Sequence, residues 1–125
     1  MKHCLVVDDS AVIRKVARRI LERLSFRVSD AEDGAQGLAV CREEMPDAIL
    51  VDATMPEVDG FAFVKALRAL PGGRAPRVVF CVVDNDVAQV ARAMHAGADD
   101  YMMKPFDREL VSEKLQDAGL VAAEA

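Results

Sequence analysis

The sequence predicts an α/β domain: a doubly wound parallel sheet of five strands with helices on both faces. Three observations predict it. Short apolar runs recur without the alternation that a strand with one wet face would show. Each run is followed by apolar residues at helical spacing. The strand-helix alternation occurs five times in 125 residues, a pattern that implies right-handed crossovers.

Cys4 to Val7 is the first run, and it ends on Asp8 and Asp9. Ser10 can cap the helix that follows, in which Ile13, Val16, Ala17, Ile20 and Leu24 form one stripe. Arg27 to Ala31 is a weaker strand, polar enough for a sheet edge. Asp33-Gly34 opens the second helix, with Leu38, Cys41 and Met45 inward, and Pro46-Asp47 closes it. Ala48 to Val51 is a buried strand ending on Asp52. After the loop from Ala53 to Gly60, the third helix turns Phe61, Val64 and Leu67 inward, widened by Phe63 and Leu70. The segment Pro71 to Pro76 is a breaker. Val78 to Val83 is the fourth strand, and Asp84-Asn85-Asp86 caps a helix whose Val87, Val90, Ala91 and Met94 are expected in the core. Ala96-Gly97-Ala98 ends that helix. Tyr101 to Met103 is a short fifth strand before Lys104-Pro105, and the last helix carries Val111, Leu115 and Ala118 to a stop at Gly119. The tail from Leu120 to Ala125 is expected to fray.

Composition removes several function classes. The chain is 52% hydrophobic and 30% charged, an ordinary globular balance for one domain. Twenty-one acidic against 16 basic residues give a net charge of −5, which does not suit nonspecific binding to nucleic acid or anionic lipid. No apolar run approaches the length of a membrane span, and the first residues do not form a signal peptide. Cys4, Cys41 and Cys81 have no metal-ligand spacing and read as reduced core residues of a cytoplasmic protein. His3 and His95 are expected at the surface, neither with a second ligand at metal spacing.

In an open parallel sheet, ligands bind beyond the carboxyl ends of the strands, where strand order reverses. There the first strand delivers Asp8 and Asp9, the third Asp52, the fourth Val82, Val83 and Asp84, and the fifth Lys104. Carboxylates this close either raise one another's pKa or take a cation. Oxygen donors without His or Cys favour Mg²⁺, or Mn²⁺, over zinc. A carboxylate beside a metal and an ammonium is a plausible phosphoryl acceptor, because both cations neutralise charge on the transferring group.

With Val6-Val7-Asp8-Asp9-Ser10, Leu50-Val51-Asp52, Met55-Pro56, Asp59-Gly60, Gly97-Ala98, Tyr101 and Lys104-Pro105 all in place, the chain resembles a response-regulator receiver domain of two-component signalling, of the single-domain chemotaxis type. The resemblance covers essentially the whole chain. It implies a flavodoxin-like fold with strand order 2-1-3-4-5, and a single receiver domain over residues 1–125 with no output domain. Asp52 would accept a phosphoryl group from a sensor histidine kinase or a phosphotransfer protein. Asp9, Asp52 and the Thr54 carbonyl would ligate Mg²⁺, with Asp8 acting through water. Lys104 would pair with the phosphoryl group, placed by an X-Pro bond that is often cis. Gly60 would allow a tight turn, and Thr54 and Asp84 would tune hydrolysis. The protein would be no enzyme beyond weak self-dephosphorylation. It would be a monomer that signals through a protein target on the helix 4–strand 5–helix 5 face.

One position departs from the resemblance. Where the family carries Thr or Ser at the end of the fourth strand, this chain has Val82, followed by the bulky Val83. The hydroxyl that would bond the phosphoryl group is missing, and its coupling to Tyr101 must change. The alternative reading is therefore an atypical or pseudo-receiver with impaired switching. Arg14, Lys15, Arg18, Arg19 and Arg23 make the first helix basic, either as a solvated face or as a kinase-docking face. A phosphatase of the dehalogenase type would need an acid two residues after Asp52, where Thr54 stands. A dinucleotide carrier would need a GxGxxG motif that the chain lacks.

Overall fold

The computed structural model describes residues 1–53, 55, 59–83 and 87–122. Its elements are β1 (His3–Val7), α1 (Ala11–Arg23), β2 (Arg27–Ala31), α2 (Gly34–Glu43), β3 (Ala48–Asp52), α3 (Gly60–Ala69), β4 (Arg77–Val82), α4 (Val87–Ala96), β5 (Asp100–Met103) and α5 (Arg108–Asp117). The five strands pair in the order β2-β1-β3-β4-β5, all parallel. This is the expected doubly wound, flavodoxin-like fold. No helix among the described residues is long and apolar enough to cross a membrane.

Every residue of β1 and β3 is buried, and so is β4 after Arg77. Their side chains alternate between two cores. Leu5, Val7, Ile49, Val51, Val78, Phe80 and Val82 pack beneath α2, α3 and α4. Cys4, Val6, Ala48, Leu50, Val79 and Cys81 pack with Met102 beneath α1 and α5. Continuous apolar runs are what such two-sided burial requires. β2 is an edge strand with one fully buried residue, Ala31, in line with its polar sequence. Side-chain oxygens of Ser10, Asp33, Asp59 and Asp107 accept from backbone N–H groups in the first turns of α1, α2, α3 and α5. All three cysteines are buried and free.

Three expectations need correction. In α1 the buried residues are Ala17 and Leu21, while Val16 is exposed. The helix is rotated so that Leu21 reaches Cys4 and Leu50 in the α1/α5 core. In α4 only Ala93 is fully buried, and Val87 and Met94 face solvent at 80% and 41% exposure. The close approach of α4 to the sheet is made by its small residue, which leaves its larger apolar side chains outside. His3 is buried, not at the surface. The proposed cap Asp84-Asn85-Asp86 and the last residues, 123–125, lie outside the described residues.

At the amino-terminal pole of the sheet, Arg68 at the end of α3 ties two connections together, α3–β4 and α4–β5. Its guanidinium donates to the carbonyls of Gly97 (3.0 Å), Gly73 (2.9 Å) and Pro76 (2.8 Å) and to Asp99 Oδ2 (3.1 Å). Asp99 Oδ2 also accepts from the Val78 N–H at 2.8 Å. One cation thus satisfies loop carbonyls that packing has removed from water.

His3 lies at the same pole. Its Nε2 shares a 2.7 Å hydrogen bond with Ser29 Oγ, while its buried Nδ1 has no hydrogen-bond partner among the described residues. Burial and the Arg27 charge lower its pKa against the opposing pull of Glu44 and Asp47. A histidine held neutral in the fold takes up a proton more readily when unfolded, so stability falls as pH drops below the ordinary histidine value of 6.5. Urea unfolding should show this decline between about pH 6.5 and pH 5 in the wild type. The slope should be shallower in His3→Gln.

Candidate functional site

The carboxyl ends of β1 and β3 lie side by side, with Val7 in register with Val51. The pairing therefore carries Asp8 and Asp52 to one mouth. The chain after β5 brings the fourth group, because the Lys104 N–H donates to the Val82 carbonyl at 2.7 Å and seats the lysine across the end of β4. The Lys104-Pro105 bond is cis. Lys104 Nζ lies 2.7 Å from Asp8 Oδ2 and 3.3 Å from Asp52 Oδ1. Asp8 and Asp52 are almost fully buried, and Asp9 is exposed at the rim. One oxygen from each of Asp8, Asp9 and Asp52 lies within 4.8 Å of the others.

Second contacts hold this constellation. The Ser10 N–H donates to Asp8 Oδ1 at 2.9 Å, and Ser10 Oγ accepts from the Ile13 N–H at 3.3 Å. Arg14 Nη1 donates to the Asp8 carbonyl at 2.8 Å, while its Nε lies 3.6 Å from Asp30 Oδ2. Sequence reasoning placed Arg14 among the solvated or docking charges of the first helix. Its side chain is instead turned inward, 14% exposed, and fixes the backbone of an acidic-site residue. The one signal was position: Arg14 lies one turn beyond Ser10, on the face of α1 nearest the sheet mouth.

Gly60 serves a different purpose from the expected turn. A Cβ there would lie 2.3 Å from the Asp52 carbonyl oxygen and 2.8 Å from Phe80 Cε1. The residue is glycine because α3 begins in contact with the backbone of β3, and no larger side chain fits.

Among the described residues the charges at the mouth are unbalanced: Asp8, Asp9 and Asp52 cluster beside one ammonium. Burial alone would lower the Lys104 pKa, but its hydrogen bond to Asp8 and the charges of Asp52 and Asp8 outweigh burial and raise it. Lys104 is therefore a permanent cation at neutral pH. Cys81, in register with Asp52, stays a thiol, its pKa pushed up to about 12 chiefly by burial. It offers no competing nucleophile. Among the described residues the donor set, three carboxylates and no nitrogen or sulfur, fits a hard divalent ion such as Mg²⁺.

Val82 is 1% exposed and packs in the core beneath α3 and α4. Val83 points to solvent at 65% exposure. Tyr101 is half-buried against the same core as Val82, with Lys114 Nζ 5.5 Å from its ring centroid. Thr54 and Asp84 lie outside the described residues.

Comparison with known proteins agrees with this geometry. The family model described as the response regulator receiver domain matches residues 4–116. The chain is 35% identical over 112 residues to the chemotaxis protein CheY of Bacillus subtilis (strain 168), covering 89% of this chain and 92% of that protein. Among solved structures, the Vibrio cholerae chemotaxis protein CheY4 superposes with a TM-score of 0.90 at 30% identity, covering 94% of this chain and 98% of that one. The receiver domain of a sensor histidine kinase from Pseudomonas aeruginosa PAO1, solved with a magnesium ion coordinated in its active-site cleft, gives a TM-score of 0.85 at 29% identity. It covers 93% of this chain and 95% of that one. The chain spans only 43% of the transcriptional regulators it also matches.

Removing one of three crowded carboxylates relieves repulsion but deletes a ligand. Asp9→Asn should raise the urea midpoint in metal-free buffer. It should also weaken Mg²⁺ binding at least about tenfold, measured by calorimetric titration of both proteins.

Proposed function

The chain belongs to the response regulator receiver family, and on that footing we propose that it is a phosphorylatable signalling switch acting through protein contacts. The observation that carries this reading is the meeting of Asp8, Asp52 and Lys104 at hydrogen-bonding distance beside the rim carboxylate Asp9. Receiver domains as a family take Mg²⁺ and a phosphoryl group at such an acidic pocket.

In this reading an Asp52 carboxylate oxygen attacks the phosphorus of a phosphohistidine. The phosphorus–nitrogen bond breaks and its electron pair returns to the imidazole of the donor. Asp9 and Asp52 would hold Mg²⁺, with Asp8 acting through water; the Thr54 carbonyl, a further ligand by the family resemblance, lies outside the described residues. When bound, the ion supplies positive charge against the phosphoryl oxygens. Lys104 is already seated against Asp52 and follows the added charge onto the phosphoryl oxygens. Asp8 stays behind as its second partner. Arg14 and Ser10 keep Asp8 from swinging with the lysine. Hydrolysis of the acyl phosphate resets the switch, tuned by Thr54 and Asp84, with at most weak self-dephosphorylation as enzymatic activity.

Two surfaces suit partners in this reading. Lys15, Arg19 and Arg23 of α1 are exposed beside the apolar Val12 and Val16, a mixed face suited to a histidine kinase or phosphotransfer protein. On the α4–β5–α5 side, Val87 and Met94 are exposed and Tyr101 is half-buried beneath Lys114. That face suits a downstream protein target. A cytoplasmic, monomeric regulator is the form we propose.

Val82 bears on the size of the response. The missing hydroxyl would have bonded a charged phosphoryl group, a contribution of about 1.5–3 kcal/mol. Reversing a two-state population from 1:99 to 99:1 takes about 5.5 kcal/mol, so a quarter to a half of the drive is absent. The alternative of a pseudo-receiver rests on this position alone, and Asp52 and Lys104 in contact weigh against it.

Acetyl phosphate with Mg²⁺ should add one phosphoryl group by intact mass, and Asp52→Asn or EDTA should abolish the gain. An unlabelled wild type under acetyl phosphate and under phosphotransfer from histidine-kinase domains would overturn the reading. Val82→Thr should enlarge the phosphorylation-dependent shift of the Tyr101 ring resonances. It should also lower stability by about 1–3 kcal/mol, because its hydroxyl enters an apolar core.

A further inference from the structure

Outside the acidic mouth, the feature that stands out is a cavity of about 550 Å³ between α3 and α4, within the usual size range of small-molecule sites. Its walls carry Lys65 from α3 and Arg92 and His95 from α4. In a chain of net charge −5, this is a local reversal of sign. The floor is made of small side chains, Ala62 and Ala91 among them, which keeps the space open. Among the described residues one carboxylate, Asp59, lines the cavity, and it is engaged. Its Oδ1 accepts from the Ala62 N–H at 2.9 Å, and its Oδ2 lies 3.7 Å from Arg92 Nη2.

Arg92 defines the ligand further. Its guanidinium carbon sits 4.2 Å from the centroid of Phe61, and Phe61 in turn stacks on Phe80 at 5.2 Å. The guanidinium is thus seated over an aromatic ring. The Arg92 side chain is nevertheless 64% exposed. Its outer face is a preset platform for a second planar ring. One edge of the guanidinium is taken by Asp59, and the remaining N–H groups are available to an anion. His95 stands one turn along the same helix face, and Lys65 faces it across the groove.

From this arrangement we propose that the α3–α4 groove is a binding site for a small organic phosphate carried on a planar ring, such as a nucleoside monophosphate. The phosphate takes charged donors from Lys65 and Arg92 and a ring N–H from His95, and the base stacks on the guanidinium. The lining extends about two turns along each helix, a length that suits a compact ligand better than an extended acidic peptide. The site uses none of the residues assigned to phosphoryl transfer, so it stands or falls apart from that reading.

The test is an amide-resolved NMR titration with AMP in Mg²⁺-free buffer, which leaves the acidic mouth without its metal. Shifts should concentrate in residues 61–65 and 91–96, with a dissociation constant on the order of 0.1–1 mM for so open a groove. Arg92→Ala and Lys65→Ala should each weaken binding about tenfold or more. Arg92→Lys should fall between wild type and alanine, since lysine keeps the charge and loses the plane. Asp52→Asn should bind as wild type, and adenosine or inorganic phosphate alone should bind more weakly than AMP. Lys65→Ala keeps the answer clear if Arg92→Ala unfolds. The proposal is overturned by an unshifted spectrum at about 10 mM AMP. It is equally overturned by shifts that vanish in Asp52→Asn yet survive in both Arg92→Ala and Lys65→Ala, or by an acidic peptide that binds the groove where AMP does not.

Discussion

Two buried carboxylates held against a single ammonium, with a third carboxylate beside them at the rim, form the constraint on which the rest of the structure depends. Lys104 contacts Asp8 and Asp52, groups delivered by β1 and β3 from distant parts of the chain. The excess of negative charge disfavours the folded state. The molecule holds it in place by burying strands on both faces, by covering those faces with helices, and by fixing Asp8 through Ser10 and Arg14. The frame around these charges is already built. That is electrostatic preorganisation, reached at the expense of stability.

The strand ends were legible in the sequence because parallel sheets leave little choice. An apolar run that is buried on both faces must emerge at its carboxyl end, and the residues waiting there are Asp8, Asp9 and Asp52. The edge position of β2 follows from its polar sequence, whereas the strand order came from the family resemblance. What periodicity could not give was helix rotation. Val16 and Leu21 both fit an apolar stripe, and only the position of Cys4 and Leu50 beneath the helix selects Leu21. In α4 the apolar residues suggested a core face. Ala93 makes the close contact, however, and Val87 and Met94 are left in water. Hydrophobicity says that a side chain gains from burial, not that a neighbour stands ready to bury it.

His3, Arg14 and Gly60 show a second limit. Each sits where two elements meet, and its role belongs to the meeting. His3 looked like a terminal surface residue until β2 supplied Ser29 and α2 ended at Glu44. Arg14 looked like one of five basic residues on a helix until its guanidinium turned to the Asp8 carbonyl. Gly60 read as a turn glycine, whereas it is held by the backbone of Asp52. A sequence pattern records local conformation well and contacts across elements poorly.

The Arg68 network gives the molecule an asymmetry between its two ends. At the amino-terminal pole, one guanidinium fastens the ends of α3 and α4 and the approach to β4 with four hydrogen bonds. At the carboxyl pole, the groups that meet are charged, Asp8 and Asp52 against Lys104. Toward that pole a second arginine joins the same two helices, Arg92 of α4 pairing with Asp59 at the start of α3 and lying over the Phe61 ring. Helices α3 and α4 are thus coupled to each other at two levels, and a shift of one is carried to the other without loosening the sheet.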